Sequence, residues 1–260
     1  MLPSHRPLAG RVALVTGGGV RLGRALALGL GRLGADVAVH HKGSASGAKE
    51  VCGLIAVDGN RAAPFAADLT QDGACEALVT QVEQTLGPVT VLVNSAAMFV
   101  RGALAQTSVE AFDTQWRLNG RAPWLLTRVV AARLSALGKA GDVLNVLDIG
   151  GAFMPWKHYS AYCMTKAALR AMTECLAVEL APSIRVNGVA PGTVLPPEGL
   201  EQGELEGLQA RIPAGRFGSP DDVVEAAAFL LAGPAYVTGQ IIRVDGGRAL
   251  ASGASAGGVR

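Results

Sequence analysis

Residues 11–34 read RVALVTGGGVRLGRALALGLGRLG, and this stretch decides the fold. Positions 12–16 form a continuous apolar run rich in β-branched residues, which predicts a strand covered on both faces. Leu22, Leu26, Leu30 and Leu33 then recur at helical spacing, and Gly34 follows where a left-handed residue closes a helix. Between them lies Thr16-Gly17-Gly18-Gly19-Val20-Arg21-Leu22-Gly23. A strand passing through such a turn into a helix aims backbone N–H groups and the positive helix end at one point, which suits a dinucleotide pyrophosphate. Gly17 permits the tight turn, Gly18 and Gly19 let a ligand approach the backbone, and Gly23 lets the helix pack closely on the sheet. A strand-to-helix turn without a ligand reads the same way, so the rest of the chain must decide.

Further strands are expected at 36–40, 89–93, 143–148, 184–189 and 241–244, separated by helix-sized intervals. Repeated βα units with right-handed crossovers give an α/β fold: a single-domain, Rossmann-like, doubly wound parallel sheet of about seven strands with helices on both faces. The 260 residues suit one domain, with 1–9 and 251–260 as loose tails. Half the residues are hydrophobic, 17% are charged, and the net charge of +2 comes with no basic run, which argues against nucleic-acid or membrane surfaces and for a small-molecule substrate. Cys52, Cys75, Cys163 and Cys175 lack metal-ligand spacing and read as reduced, mostly buried thiols of a cytoplasmic protein. The four histidines likewise show no metal-ligand spacing, so no metal site is expected.

A dinucleotide site expects an acid about 20 residues beyond the loop to bind the adenosine ribose hydroxyls. Here the place reads His40-His41-Lys42-Gly43-Ser44, and His41, Lys42 and Ser44 can donate to a 2′-phosphate with no carboxylate to repel it. NADPH is therefore expected over NADH, although a solvated polar turn would have a similar composition. Farther on, Tyr162 and Lys166 stand at i and i+4 in a helical stretch, so both project from one face. A nearby ammonium favours the phenolate, so Lys166 is expected to lower the Tyr162 pKa and make the phenol a general acid near neutral pH.

The glycine loop, Asn94-Ser95-Ala96-Ala97, Asn119, Tyr162 with Lys166, Pro191-Gly192 and the closing Val244-Asp245-Gly246-Gly247 resemble the short-chain dehydrogenase/reductase family in order and spacing, over roughly 10–250. The resemblance implies that Lys166 binds the nicotinamide ribose and tunes Tyr162, and that Asn119 holds a water in a proton relay. It also implies adenine contacts from Asp68 and Leu69, and cofactor contacts from Asn94, Ala96, Pro191 and Gly192. Each has a plain alternative: Asp68 a helix cap, Asn94 a strand-end partner, Pro191-Gly192 an ordinary turn. Assembly as a homotetramer or homodimer is implied in the same way, with Ala167, Leu169, Met172 and Leu176 compatible with such packing or with a core.

Two positions depart from most of the family: Arg21 stands where glycine is usual, and Asp148 where serine is usual. With Phe99 five residues after Asn94, they resemble the pteridine reductase branch, with dihydromonapterin reductases nearby. A flat pterin would lie between nicotinamide and Phe99, with Arg21 at its polar edge and Asp148 helping Tyr162 protonate a ring nitrogen. Phe99 also reads as a loop hydrophobe, and Arg21 as a phosphate partner alone. Asp148 precedes Tyr162 by 14 residues, one more than the branch implies, so a one-residue insertion is expected between them. Trp156 is a further candidate substrate contact, and residues 193–212 the candidate lid. The alternatives kept are a 3-oxoacyl or small-ketone reductase using the same residues, and a non-catalytic NADPH-binding sensor.

Overall fold

The structure is a computed structural model that describes residues 6–196, 199 and 201–251. In chain order the elements are β1 (Val12–Val15), α1 (Arg21–Arg32), β2 (Asp36–His41), α2 (Ala45–Val57), β3 (Ala62–Ala66), α3 (Ala74–Leu86) and β4 (Val89–Asn94). There follow α4 (Val109–Trp116), a π-helical turn (Arg117–Arg121), α5 (Ala122–Ala136), β5 (Gly141–Val146), a kinked turn α6 (Ile149–Ala152) and α7 (Ser160–Glu179). The described residues continue with β6 (Ile184–Pro191), α8 (Gln202–Gln209), α9 (Pro220–Ala232), β7 (Ile241–Val244) and α10 (Arg248–Ala251). The seven strands form one parallel sheet in the order β3-β2-β1-β4-β5-β6-β7. The order reverses between β1 and β4, so a crevice opens where their carboxyl ends part.

The unbroken apolar strands are explained by two cores. Ala13 and Val15 face Leu26, Leu30 and Leu33 of α1, Ile55 of α2 and Val224 of α9. Val12 and Leu14 face the opposite layer, with Leu78 and Val82 of α3 and Leu126 and Val130 of α5. Each fully buried leucine contributes about 1.5–3 kcal/mol, so both layers draw on every strand residue of β1. Gly34 closes α1 at φ +98°, as its position in the sequence implied. A Cβ on Gly29 would collide with Val224, so α1 and α9 lie closer than side chains would permit.

Four features differ from expectation. The strand β3 reads AAPFA, weakly β-forming and interrupted by Pro64, and Pro64 is tolerated because β3 pairs only with β2 at the sheet edge. Residues 6–9 are packed: Leu8 is 1% exposed and its N–H donates to the Leu33 carbonyl. The rest of the expected tails, 1–5 and 252–260, lies outside the described residues. The 193–212 segment contains the helix α8, started by a reciprocal capping box between Glu201 and Glu204, while 197, 198 and 200 lie outside the described residues. Two of the four cysteines, Cys163 and Cys175, are at least partly exposed. Among the described residues no helix is long and apolar enough to cross a membrane.

Candidate active site

The glycine turn sits at the carboxyl end of β1. Gly17 adopts φ +66°, and a Cβ there would lie 3.1 Å from Ala96 Cα, so the ends of β1 and β4 meet across it. Thr16 ties the same two ends together, its Oγ1 accepting from the Ser95 and Ala96 N–H groups at 2.9 and 3.0 Å. A Cβ on Gly23 would collide with the Gly17 carbonyl oxygen, so Gly23 is required by the turn itself rather than by the sheet. Arg21, at the family's glycine position, holds φ +50°, a conformation that costs a non-glycine residue about 1–2 kcal/mol. Its Nη2 donates to the Leu195 carbonyl at 3.5 Å, linking the glycine turn to the 193–212 segment. Leu22 is half-buried at the start of α1.

His40 braces the turn from beneath. Gly17 N–H donates to its Nδ1 at 3.1 Å, which leaves the proton on Nε2, 3.1 Å from the Ala67 carbonyl. Burial pulls this imidazole down to about 4. Between pH 6.5 and 4 the unfolded chain therefore takes up a proton that the folded chain refuses, and stability falls with pH across that window. The loss expected is about 3 kcal/mol. In denaturant melts from pH 7 to 4, His40→Gln should flatten this slope; an unchanged slope would show that the ring is not held neutral.

At the end of β2, His41 is 8% exposed and its Nδ1 is buried without a hydrogen-bond partner. Ser44 Oγ lies 2.9 Å from where a Gly19 Cβ would stand, so Ser44 and Gly19 share one wall. Lys42 forms an ion pair with Asp68 at 2.9 Å. This corrects the expectation of no carboxylate near that place, because Asp68 arrives from the end of the neighbouring strand β3. Lys42, Thr70 and Gln71 hold the Asp68 carboxyl well below its ordinary range. Leu69 beside it is buried. A glycine turn whose backbone any side chain would block, opening into the N-terminus of α1, fits the pyrophosphate of a nicotinamide dinucleotide.

Two strands over from β1, beyond β4, β5 ends at Val146, roughly 10 Å from β1 by sheet spacing. Lys166 Nζ donates to the Val146 carbonyl at 2.8 Å and lies 5.8 Å from the Tyr162 ring centre. Tyr162 Oη donates to Asp148 Oδ2 at 2.8 Å, and Asp148 Oδ1 accepts from Gly150 N–H at 2.8 Å. Between Asp148 and Tyr162, Gly151 takes φ +79° and its N–H donates to the Met154 carbonyl at 2.8 Å, turning the chain through α6. Burial, then the charge and hydrogen bond of Asp148, push the phenol well above its ordinary range. This reverses the expected lowering by Lys166, whose own ammonium burial pulls down to about 8. Asp148 is raised by burial, against the Gly150 and Tyr162 hydrogen bonds and the charges of Lys166 and Arg248. At neutral pH Tyr162 thus keeps its proton.

Asn119 lies in the π-helical turn between α4 and α5. Its amide accepts from Met98 N–H at 2.8 Å and donates to the Met98 carbonyl at 2.8 Å and to Thr165 Oγ1 at 3.2 Å. The side chain therefore braces the segment after β4 against α7. Asn94 Nδ2 donates to Asn145, which donates to Thr173, and Asn94 Oδ1 is buried without a partner. Pro191 ends β6, and a Cβ on Gly192 would lie 2.8 Å from Asp245 Cα.

An aromatic wall borders Tyr162. Phe99 stands edge-on to Tyr162 at 4.8 Å and to Trp156 at 5.9 Å, and it stacks on Tyr159 at 4.6 Å. Tyr159 carried no motif signal, yet it contacts the expected pair Phe99 and Trp156. Among the described residues no cluster of three or more His, Cys, Asp or Glu is placed to hold a metal.

The family model described as enoyl-(acyl carrier protein) reductase matches residues 19–249. The L-xylulose reductase of Mus musculus is 34% identical over 92% of this chain and 97% of its own length. The L-rhamnose 1-dehydrogenase (NAD(P)+) of Sphingomonas sp. is 30% identical over 92% of this chain and 96% of its own. In fold, FolM alternative dihydrofolate reductase 1 from Brucella canis, complexed with NADP, superposes with a TM-score of 0.87 at 30% identity, covering 96% of this chain and 98% of that one. With its seven-stranded parallel sheet and matches of this extent, the chain belongs to the short-chain dehydrogenase/reductase family of oxidoreductases.

Proposed function

We propose that this oxidoreductase uses NADPH to reduce a pterin or dihydropterin ring, with Tyr162 as the proton donor. Gly17, Gly19, Arg21, Leu22 and Gly23 would hold the pyrophosphate, and His41, Lys42 and Ser44 the 2′-phosphate. Asp68 and Leu69 would border the adenine, and Asn94, Ala96, Pro191, Gly192 and Lys166 the nicotinamide half. When bound, NADPH supplies the hydride that reduces a ring C=N bond at carbon. Tyr162 gives the Oη proton to the adjacent nitrogen, Asp148 orients that hydroxyl, and Asn119 keeps the neighbouring segment in place. Residues 193–212 serve as the lid, and the assembly is a homotetramer or homodimer.

The observation that carries this reading is the 2.8 Å bond from Tyr162 to Asp148 beside an aromatic wall. A carboxylate behind the phenol suits protonation of a ring nitrogen, and aromatic rings suit a flat heterocycle. The relative named as an alternative dihydrofolate reductase agrees with it. The second reading is a carbonyl reductase acting through the same residues, favoured by the relatives named for L-xylulose and L-rhamnose.

Steady-state assays with NADPH separate the two. Dihydrobiopterin, dihydromonapterin or dihydrofolate should be turned over with kcat/KM at least about 100-fold above L-xylulose and a 3-oxoacyl thioester, an advantage of about 3 kcal/mol. Turnover of the carbonyl compounds alone would reject the pterin reading.

A further inference from the structure

The segment that carries Phe99 is gripped by two buried amides one helical turn apart. Asn119 binds both the N–H and the carbonyl of Met98, and Gln115 Oε1 accepts from Val100 N–H at 3.4 Å. Both amides are 1% exposed, so the backbone on either side of Phe99 is fixed from within. The ring is fixed as well. It lies nearly parallel to Tyr159, with 10° between the planes and 4.6 Å between centres, and it meets Trp156 and Tyr162 at 78° and 79°. Tyr159 in turn is anchored at the start of α7, where its carbonyl accepts from Cys163 N–H at 2.8 Å. Just before it, His158 takes φ +67°, a left-handed conformation uncommon for a residue other than glycine, and its carbonyl accepts from Gly102 N–H at 2.8 Å. The loops bearing Phe99 and Tyr159 are thereby tied together. Trp156 lies against the backbone of Gly150, where a Cβ would stand 2.6 Å from the indole, so only glycine fits beneath it.

The rings of this group are not equally covered. Tyr162 is 4% exposed and Trp156 and Tyr159 are half-buried, whereas Phe99 is 52% exposed although Tyr159 covers one of its faces. Uncovered ring surface therefore stands beside the Tyr162 phenol. A ring backed by another ring cannot turn without breaking the stack, and Phe99 so presents one orientation to a ligand. Fixing a contact group before binding removes the ordering cost that a ligand would otherwise bear.

We infer that Tyr159 is a positioning residue: by stacking on one face of Phe99 it holds the exposed ring as a platform for a flat, conjugated ring of the substrate. This rests on the reading above, in which a planar ring is reduced beside Tyr162, and it names a residue that sets the preference for planarity. The plane of the Tyr159 ring carries the role. Phenylalanine would serve as well, and an aliphatic side chain of similar bulk would not.

The test compares Tyr159→Leu and Tyr159→Phe with wild type on two flat substrates, dihydrobiopterin and the ring ketone isatin, each with NADPH. In Tyr159→Leu the KM of the flat substrate should rise about 3–10-fold, the range for one aromatic pair, while kcat and the KM of NADPH move less than about twofold. Tyr159→Phe should restore the wild-type KM. General damage to the fold would instead lower kcat and disturb NADPH as well. If Tyr159→Leu does not fold, Tyr159→Met carries the comparison. An unmoved KM, a KM that falls because Tyr159 occupies the seat of the substrate ring, a loss confined to kcat, or a failure of Tyr159→Phe to restore binding would each overturn the inference. Dihydrobiopterin turnover with an unmoved KM sinks this proposal alone. Turnover of isatin but of no pterin, with its KM raised in Tyr159→Leu, sinks the pterin reading alone, and turnover of neither flat ring removes both.

Discussion

Replacing Tyr162 with Phe is expected to lower kcat by about 10²–10⁴-fold, the usual contribution of a positioned general acid. Phe retains the ring that packs edge-on against Phe99, so the aromatic wall is preserved, and what disappears is the hydroxyl proton. Burial and the adjacent Asp148 carboxylate keep that proton on Oη throughout the neutral range, which equips Tyr162 to give a proton during reduction. The variant also leaves Asp148 Oδ2 without its donor, at a stability cost of about 1–3 kcal/mol. A modest drop in melting temperature is therefore expected, with NADPH affinity changed by less than about fivefold, since the removed hydrogen bond is worth about 1 kcal/mol. Stopped-flow measurement of NADPH oxidation with substrate saturating reports the chemical step separately from binding. A variant retaining more than a tenth of wild-type kcat would remove Tyr162 from the role of acid, whatever the substrate.

What the sequence made legible is what neighbouring residues decide. The glycine turn, the Leu22-Leu26-Leu30-Leu33 helix and the Tyr162–Lys166 face follow from local spacing, and each stands in the structure at the carboxyl edge of the sheet. Asp148 was legible by its substitution for serine, and its carboxylate accepts the Tyr162 hydroxyl at 2.8 Å. What depended on tertiary packing was hidden. Tyr159 stacks on Phe99 across two loops that the Gly102 N–H to His158 carbonyl bond joins, and neither loop has periodicity. Arg248 reaches the Trp156 ring from beyond the last strand, after the glycine pair Gly246-Gly247. The direction of the Tyr162 shift was misread for the same reason: spacing brings Lys166 near but says nothing of burial or of a committed Val146 carbonyl.

The Lys42–Asp68 pair gives the second large effect. As an exposed ion pair it contributes little to stability, so substitutions there should act on cofactor choice and leave the fold intact. Each charge-assisted contact to a phosphate is worth about 1.5–3 kcal/mol, and Lys42→Glu both removes one and adds repulsion. The ratio of kcat/KM for NADPH over NADH should then fall about 100-fold or more. Asp68→Asn should move the same ratio the other way, because a carboxylate 2.9 Å from the ammonium offsets part of its field. Removing one unit charge a few ångströms from the phosphate at a solvent-facing site is worth about 1 kcal/mol, or roughly fivefold. The ratio isolates the 2′-phosphate: any adenine contact made by Asp68, and any general damage, affects both dinucleotides alike. Opposite movements in the two variants would assign the preference to charge at the β2 end, whereas an unchanged ratio in both would mean that the lysine never meets a phosphate and that NADPH was the wrong expectation.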